Sequence, residues 1–240
     1  MIVDWPEVTL GDICSFQNGG TPSRDVPKYF DGGIPWLTGA DITGPVAGEC
    51  RTFISSAGVG ASAACVVPKG TVLLVTRTGV GKVAVADRSL SFSQDITALH
   101  PDSSRVFTGY LLHFLRTQAE RFKSVSRGAT IKGIPREVVA STALPLPPIK
   151  EQQKIAAVLD KADELRAKRR SSLATLGAVT EAIFIEMFGD PVSNPKGWPI
   201  LRIRDVVNRF ETGRSIATTE GDGPTAMYWV VKVRARARIT

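Results

Sequence analysis

Thr78-Gly79-Val80-Gly81-Lys82 invites reading as a phosphate loop, since the amides of a Gly-rich turn and a following lysine can close around a phosphate. The spacing excludes it. Threonine occupies position 76, where the loop's first glycine would stand, and Val83 replaces the magnesium-ligating Ser or Thr. The segment reads instead as a glycine-rich turn between strands, with Arg77 and Lys82 available to external phosphates. His100 and His113 are the only histidines, and neither has a Cys or carboxylate at ligand spacing. There is no Gly-x-Ser-x-Gly elbow, and no Asn-Pro-Pro-aromatic or Asp-Pro-Pro-aromatic motif of base methylation. No cofactor, no metal and no catalytic activity are expected.

Composition narrows the classes further. The chain carries 30 Lys and Arg against 23 Asp and Glu, a net charge of +7, which favours a polyanionic partner while also fitting many proteins that never touch nucleic acid. With 43% hydrophobic residues it can bury a core. Cys14, Cys50 and Cys65 are odd in number and far apart, which suits reduced thiols better than a disulfide framework. Met1 leads into an acidic and aromatic run, so no secretory signal is expected. No unbroken apolar run approaches the ~20 residues that span a bilayer. A cytoplasmic protein without a membrane partner is the expectation.

The polar residues need elements to hold them. Up to about residue 148, short apolar segments are broken by Gly and Pro; Thr71 to Thr76 reads as a buried β-branched strand, with Lys82 to Ala86 and Asp95 to Leu99 as two more. One helix is expected from Thr108 to Lys123, where Tyr110, Leu111, Phe114, Leu115, Ala119 and Phe122 recur at helical spacing. His113 and Trp36 are read as structural. Leu144-Pro145-Leu146-Pro147-Pro148 then ends this texture.

From Glu151 to Phe188 there is no proline and a single glycine, Gly177, a candidate break. The expected helix is about 38 residues, roughly 57 Å long. Its seam consists of Ile155, Leu159, Ala162, Leu173, Leu176, Ile183 and Met187, interrupted by Arg166, Arg169 and Thr180. So long a seam wants a second long helix, from this chain or another. The fold class is therefore α+β, a β-rich domain followed by a long coiled-coil-like helix. Gly189-Asp190-Pro191 stops the helix. An internal repeat follows at an offset of 193 residues: Trp198-Pro199 aligns with Trp5-Pro6, Leu201 with Val8, Ile203 with Leu10, Asp205 with Asp12, Val206 with Ile13 and Gly213 with Gly20.

The opening Trp5-Pro6 with Leu10-Gly11-Asp12-Ile13, then Gly19-Gly20-Thr21-Pro22-Ser23 and Ile34-Pro35-Trp36 with Asp41-Ile42, resembles the start of type I restriction-modification specificity subunits. Gly81-Lys82-Val83-Ala84, Ser93-Gln94-Asp95 and the proline run leading to Glu151-Gln152-Gln153-Lys154-Ile155-Ala156 fit the same family. The resemblance covers residues 5 to about 215. It implies a target-recognition domain over 1–149, a helical spacer over 150–189 and the start of a second recognition domain over 190–240, cut short. It also implies a non-catalytic reader of double-stranded DNA: each recognition domain reads half of a bipartite site, and the helices act as a ruler and dock modification subunits, with a restriction subunit as a further partner. With one recognition domain present, a homodimer through the long helix is expected. Residues 216–240, ending in Lys232, Arg234, Arg236 and Arg238, read either as a strand with one charged face or as a frameshifted remnant.

Such a reader needs donors and acceptors on loops, plus cations for phosphates. Gln17, Asn18, Thr21, Ser23 and Arg24 gather in the first Gly-rich loop; the alternative is an ordinary solvated turn. Arg127-Gly128-Ala129-Thr130-Ile131-Lys132-Gly133 is a second loop, small and basic enough for close approach to DNA. Arg127, Thr130 and Lys132 thus join Arg77 and Lys82 as expected contacts. Two rivals stand beside this reading: a truncated interaction protein that competes for the modification subunit without reading DNA, and a fragment of a fused methyltransferase.

Overall fold

A computed structural model describes residues 5–126 and 133–206. Arg127, Thr130 and Lys132 lie outside the described residues, as do Gly213 of the repeat and the basic tail. The chain clusters into two units, Met1–Gly177 and Ala178–Thr240.

The first unit begins with β1 (Glu7–Thr9), α1 (Leu10–Ile13), β2 (Cys14–Asn18), β3 (Ile34–Leu37), β4 (Val46–Ala47) and β5 (Thr52–Ile54). After α2 (Ser56–Gly60) come β6 (Val66–Val67), β7 (Val72–Val75), β8 (Val83–Ala86), β9 (Leu90–Phe92) and β10 (Ile96–Pro101). The helices α3 (Thr108–Thr117), α4 (Ala119–Val125) and α5 (Arg136–Ala140) follow, then β11 (Ala143–Pro145) and α6 (Ile149–Phe188). In the second unit α7 (Ile203–Val206) stands at the repeat offset from α1.

The strands form a five-stranded sheet in the order β2-β10-β7-β8-β4, a four-stranded sheet β5-β3-β9-β6, and a pair β1-β11. The middle strand explains the layering. Side chains alternate along β7: Val72 and Leu74 enter one core with Leu111, Leu115 and Phe122 of the helices, while Leu73 and Val75 enter another with Leu37, Leu90 and Phe92 of the second sheet. All four residues of β7 are fully buried, which is why the sequence there is an unbroken apolar run rather than an alternating one. Each contributes about 1.5–3 kcal/mol. Trp36 is 2% exposed and donates its indole N–H to the Gly20 carbonyl at 3.0 Å, so its structural reading holds. All three cysteines are free thiols, Cys14 buried and Cys50 and Cys65 half-buried.

The expected strands appear as β7, β8 and β10. The single helix expected at Thr108 to Lys123 is two, α3 and α4, meeting at Gln118. The Gln118 amide bonds back to the Leu115 and Arg116 carbonyls, tightening the last turn, and α4 then lies close over the β7–β8 turn, where a Cβ on Gly81 would come within 2.9 Å of the Ala119 carbonyl. Periodicity survives this one-residue change of direction because Phe122 still reaches the core.

The start of the chain is folded onto the root of the long helix. Strand β1 pairs antiparallel with β11, Val8 opposite Leu144, and the Leu146 amide bonds to the Pro6 carbonyl at 2.8 Å. The Pro148 carbonyl accepts the amides of Glu151 and Gln152 at 2.8 and 3.0 Å, so the proline run feeds the first turn of α6 directly. Helix α6 has 40 residues and continues through Gly177 without the break considered from sequence.

Counting unbroken runs understated the apolar character of α6. An 18-residue stretch reaches a mean hydropathy of 1.3, so by length and composition alone the helix could cross a membrane. The seam divides in two. Leu159 and Ala162 line a cavity of about 310 Å³ together with His113, Arg116 and Thr117 of α3, and Ile155 is half-buried. This first half therefore lies beside α3 of its own domain, with Leu159 still 39% exposed; the Arg116–Asp163 ion pair and a hydrogen bond between His113 and Asp160 hold it there. Leu173, Ile183 and Met187 are 58%, 49% and 58% exposed, and Leu176 is exposed with them.

In the second unit the helix end is closed by the turn that follows. Trp198 donates its indole N–H to the Phe188 carbonyl at 2.7 Å, and the Lys196 ammonium donates to the carbonyls of Glu186 and Met187 at 2.8 and 2.6 Å. Lysine is placed as the negative end of the helix dipole requires. Leu10 of α1 is fully buried, whereas Ile203, its counterpart in α7, is 64% exposed.

Candidate functional site

One open cleft, of about 480 Å³, gathers polar side chains from four separate stretches. Strand β2 ends in it with Phe16, Asn18 and the following Gly19; the ends of β7 and β10 bring Thr76, Arg77, Gln94 and Thr97; and Ile134, Pro135, Arg136 and Val139 close the other side. The wall carrying α5 is pinned by backbone bonds. Arg77 bridges Gly133 in antiparallel fashion, and the Ile134 amide bonds to the Thr76 carbonyl at 2.9 Å.

The floor is a chain of hydroxyls. Buried Thr97 donates to the Asn18 side-chain carbonyl at 3.2 Å and stands 3.3 Å from the hydroxyl of Thr76. At the rim, the Thr21 hydroxyl donates to the side-chain carbonyl of Gln94. Thr21 is carried there by Gly20, whose missing Cβ would fall 2.3 Å from the Ala63 backbone. Arg136 lies over the Phe16 ring at 5.3 Å and donates to the Phe16 carbonyl at 3.3 Å. Neither Arg77 nor Arg136 enters an ion pair among the described residues. Among the described residues no acidic side chain lines the cleft.

The structure brings together only part of the residue set expected from sequence. Asn18 and Arg77 line the cleft and Thr21 supports it. Gln17 and Asn18 belong to strand β2, not to a loop, because their ladder to β10 continues to Thr97 opposite Asn18. Alternation along the strand then turns Gln17 to the other face, where its side-chain carbonyl lies 3.0 Å from His100 Nε2. Ser23 bonds to Asp25, and Arg24 lies 6.0 Å from the Phe30 ring centroid. Lys82 donates its ammonium to the Gly39 carbonyl at 3.0 Å and lines a different concavity with Ile42, Gly81 and Arg116. The Gly-rich turn itself is as read: Gly79 and Gly81 have φ of 109° and 88°, left-handed values that favour glycine. Sequence reasoning gave no role to Gln94 or Arg136. Gln94 stood within a quoted motif without one, and nothing local marks Arg136.

A second constellation joins the domain to its helix. Gln152 is fully buried and uses its whole carboxamide: it accepts the Phe107 amide at 2.8 Å and donates to the carbonyls of Arg105 and Pro147 at 2.9 and 2.8 Å. Two to three turns on, Asp160 accepts from His113 at 2.8 Å, and Asp163 pairs with Arg116. The hydrogen bond from Arg116 holds the Asp163 carboxyl below the ordinary carboxylate range. His113 is thus structural, as read. Among the described residues no three His, Cys, Asp or Glu side chains stand close enough to hold a metal ion.

A rigid sheet scaffold that presents amides and guanidiniums in an open cleft, fixed to the root of a long helix, defines a recognition module. The chain belongs to the family described as the type I restriction modification DNA specificity domain, whose model matches residues 2–174. It is 28% identical over 237 residues to the type I restriction enzyme MjaIX specificity subunit of Methanocaldococcus jannaschii, covering 90% of this chain and 54% of that one. The fold matches the HsdS subunit from Thermoanaerobacter tengcongensis with a TM-score of 0.58 at 25% identity, over 79% of this chain and 46% of that one. A chain from a structure addressing complex assembly and conformational transition of the type I R-M system gives a TM-score of 0.63 at 25% identity, over 76% and 44%. The chain spans about half the length of the curated relatives it matches.

Proposed function

We propose that the chain is a non-catalytic specificity subunit that reads one half of a bipartite duplex-DNA target through residues 1–149, uses residues 150–189 as spacer and docking helix, and begins a second reader in 190–240. The observation that carries this reading is the cleft of Asn18, Arg77, Gln94 and Arg136 in a chain of the specificity-domain family. Arg127, Thr130 and Lys132, together with Arg77, serve DNA contact, the cations neutralising phosphates so that affinity falls steeply with salt. Modification subunits dock on the exposed half of α6, a restriction subunit joins that assembly, and two chains pair through their helices as a homodimer. The working place is the cytoplasm. Although α6 is apolar enough to cross a bilayer, Glu181 and Glu186 within its last turns are costly in hydrocarbon and favour a protein partner instead.

Selection from a random duplex library, with and without a modification subunit, tests this. The expected result is a short consensus, present as two inverted copies if the chain is a homodimer. Retention of no sequence by the chain, alongside stable capture of the modification subunit, would replace it with the competitor reading.

A further inference from the structure

The hydrogen-bonding capacity of the cleft is one-sided. Gln94 has its carbonyl taken by the Thr21 hydroxyl, and Asn18 has its carbonyl taken by Thr97. What each presents outward is therefore its NH2 group, a donor. The two guanidiniums can only donate. With no carboxylate among the described lining residues, four side chains offer donors, and the carbonyl of each amide is turned back onto a threonine hydroxyl.

We infer that this cleft reads an acceptor-only base edge in the major groove, the O6 and N7 of guanine, and rejects edges that carry an amino group; the inference rests on the DNA-reading function proposed above. Guanine presents two neighbouring acceptors there, whereas adenine and cytosine each present an amino donor, which would meet the donors of Gln94, Asn18 and Arg77 with no partner. Thymine offers one acceptor beside a methyl group. Phosphate would be served by the two arginines alone. It does not account for two neutral amides held by threonine hydroxyls, one on the buried floor and one at the rim.

The test uses the full chain and selected duplexes. At one position of the half-site the consensus is guanine, and placing 7-deazaguanine there, which lacks the N7 acceptor, weakens binding by about tenfold. Arg77→Ala and Gln94→Ala, at exposed positions, relax that position and lose sensitivity to 7-deazaguanine, leaving the other positions unchanged. Thr97→Val, which frees the Asn18 amide to turn over, admits adenine at the same position without changing the salt dependence. If the alanine variants instead weaken binding to all sequences equally and flatten the salt slope, the cleft holds phosphate and the guanine assignment is wrong. The assignment also fails if the consensus has no guanine that responds to these variants. If the unaltered chain selects no sequence at all, the DNA-reading function itself fails, a result separable from both.

Discussion

The side chain of Gln152 and the backbone of Phe107 meet at 2.8 Å, joining the first turn of α6 to the entry of α3 through an amide with no exposed surface. Two more bonds, to Arg105 and Pro147, give every polar atom of that amide a partner. A buried polar group satisfied at every atom is costly to remove, because its partners then lie unpaired away from water.

Gln152→Leu keeps the volume and strands the Phe107 amide and the two carbonyls. It is expected to lower stability by about 2–3 kcal/mol, measured by urea unfolding. A loss under about 0.5 kcal/mol would show that water or a shifted helix replaces the bonds, contradicting a rigid junction.

The Arg116–Asp163 pair gives that junction an acid limit. Asp163 is held below its ordinary value of 3.8, so its contribution is complete above that pH and is lost as pH falls through the depressed value. The pair is partly exposed, and its worth is about 1 kcal/mol or less. The stability difference between the unaltered protein and Asp163→Asn should therefore be constant at neutral pH and close only at strongly acid pH. Closure between pH 5 and 7 would contradict the assignment.

Cys14 sets an alkaline limit. Burial pushes its thiol up to about 12 from the ordinary 9.0, so as pH rises past 9.0 the unfolded chain releases a proton that the folded chain retains. Stability falls across that window, and less so in Cys14→Ser. In the native protein at pH 8, iodoacetamide should spare Cys14 and modify it only on unfolding. Mass spectrometry of labelled peptides decides this.

Leu173→Asp with Ile183→Asp places charge on the exposed half of α6. Sedimentation should show a dimer for the unaltered chain and a monomer for the variant, with unchanged affinity for a single half-site. A monomer in both would end the homodimer model.

What the sequence disclosed follows physical range. The strands β7, β8 and β10 and the long helix were legible because runs and periodicity are local. The family was legible because its motifs are short and ordered along the chain. The cleft was not, since Asn18, Gln94 and Arg136 meet only when three separate stretches fold together, and no local signal distinguishes Arg136 from any solvated arginine. That the first half of α6 lies beside α3 was not legible for a related reason. A seam at heptad spacing announces an apolar face, but Leu159 and Ala162 do not record that α3 of the same domain lies beside it.

The fixed junction at Gln152 turns α6 into a lever. From Gln152 to Gly177 is about 38 Å of helix at 1.5 Å per residue, so a swing of about 10° at the root would move the far point by roughly 6–7 Å, or about two base steps at 3.4 Å each. For the proposed bipartite reader, a hinge with that freedom would blur the distance between half-sites by as much. In the bipartite reader proposed above, three hydrogen bonds on one carboxamide would thus limit how far the number of unread base pairs between half-sites can vary.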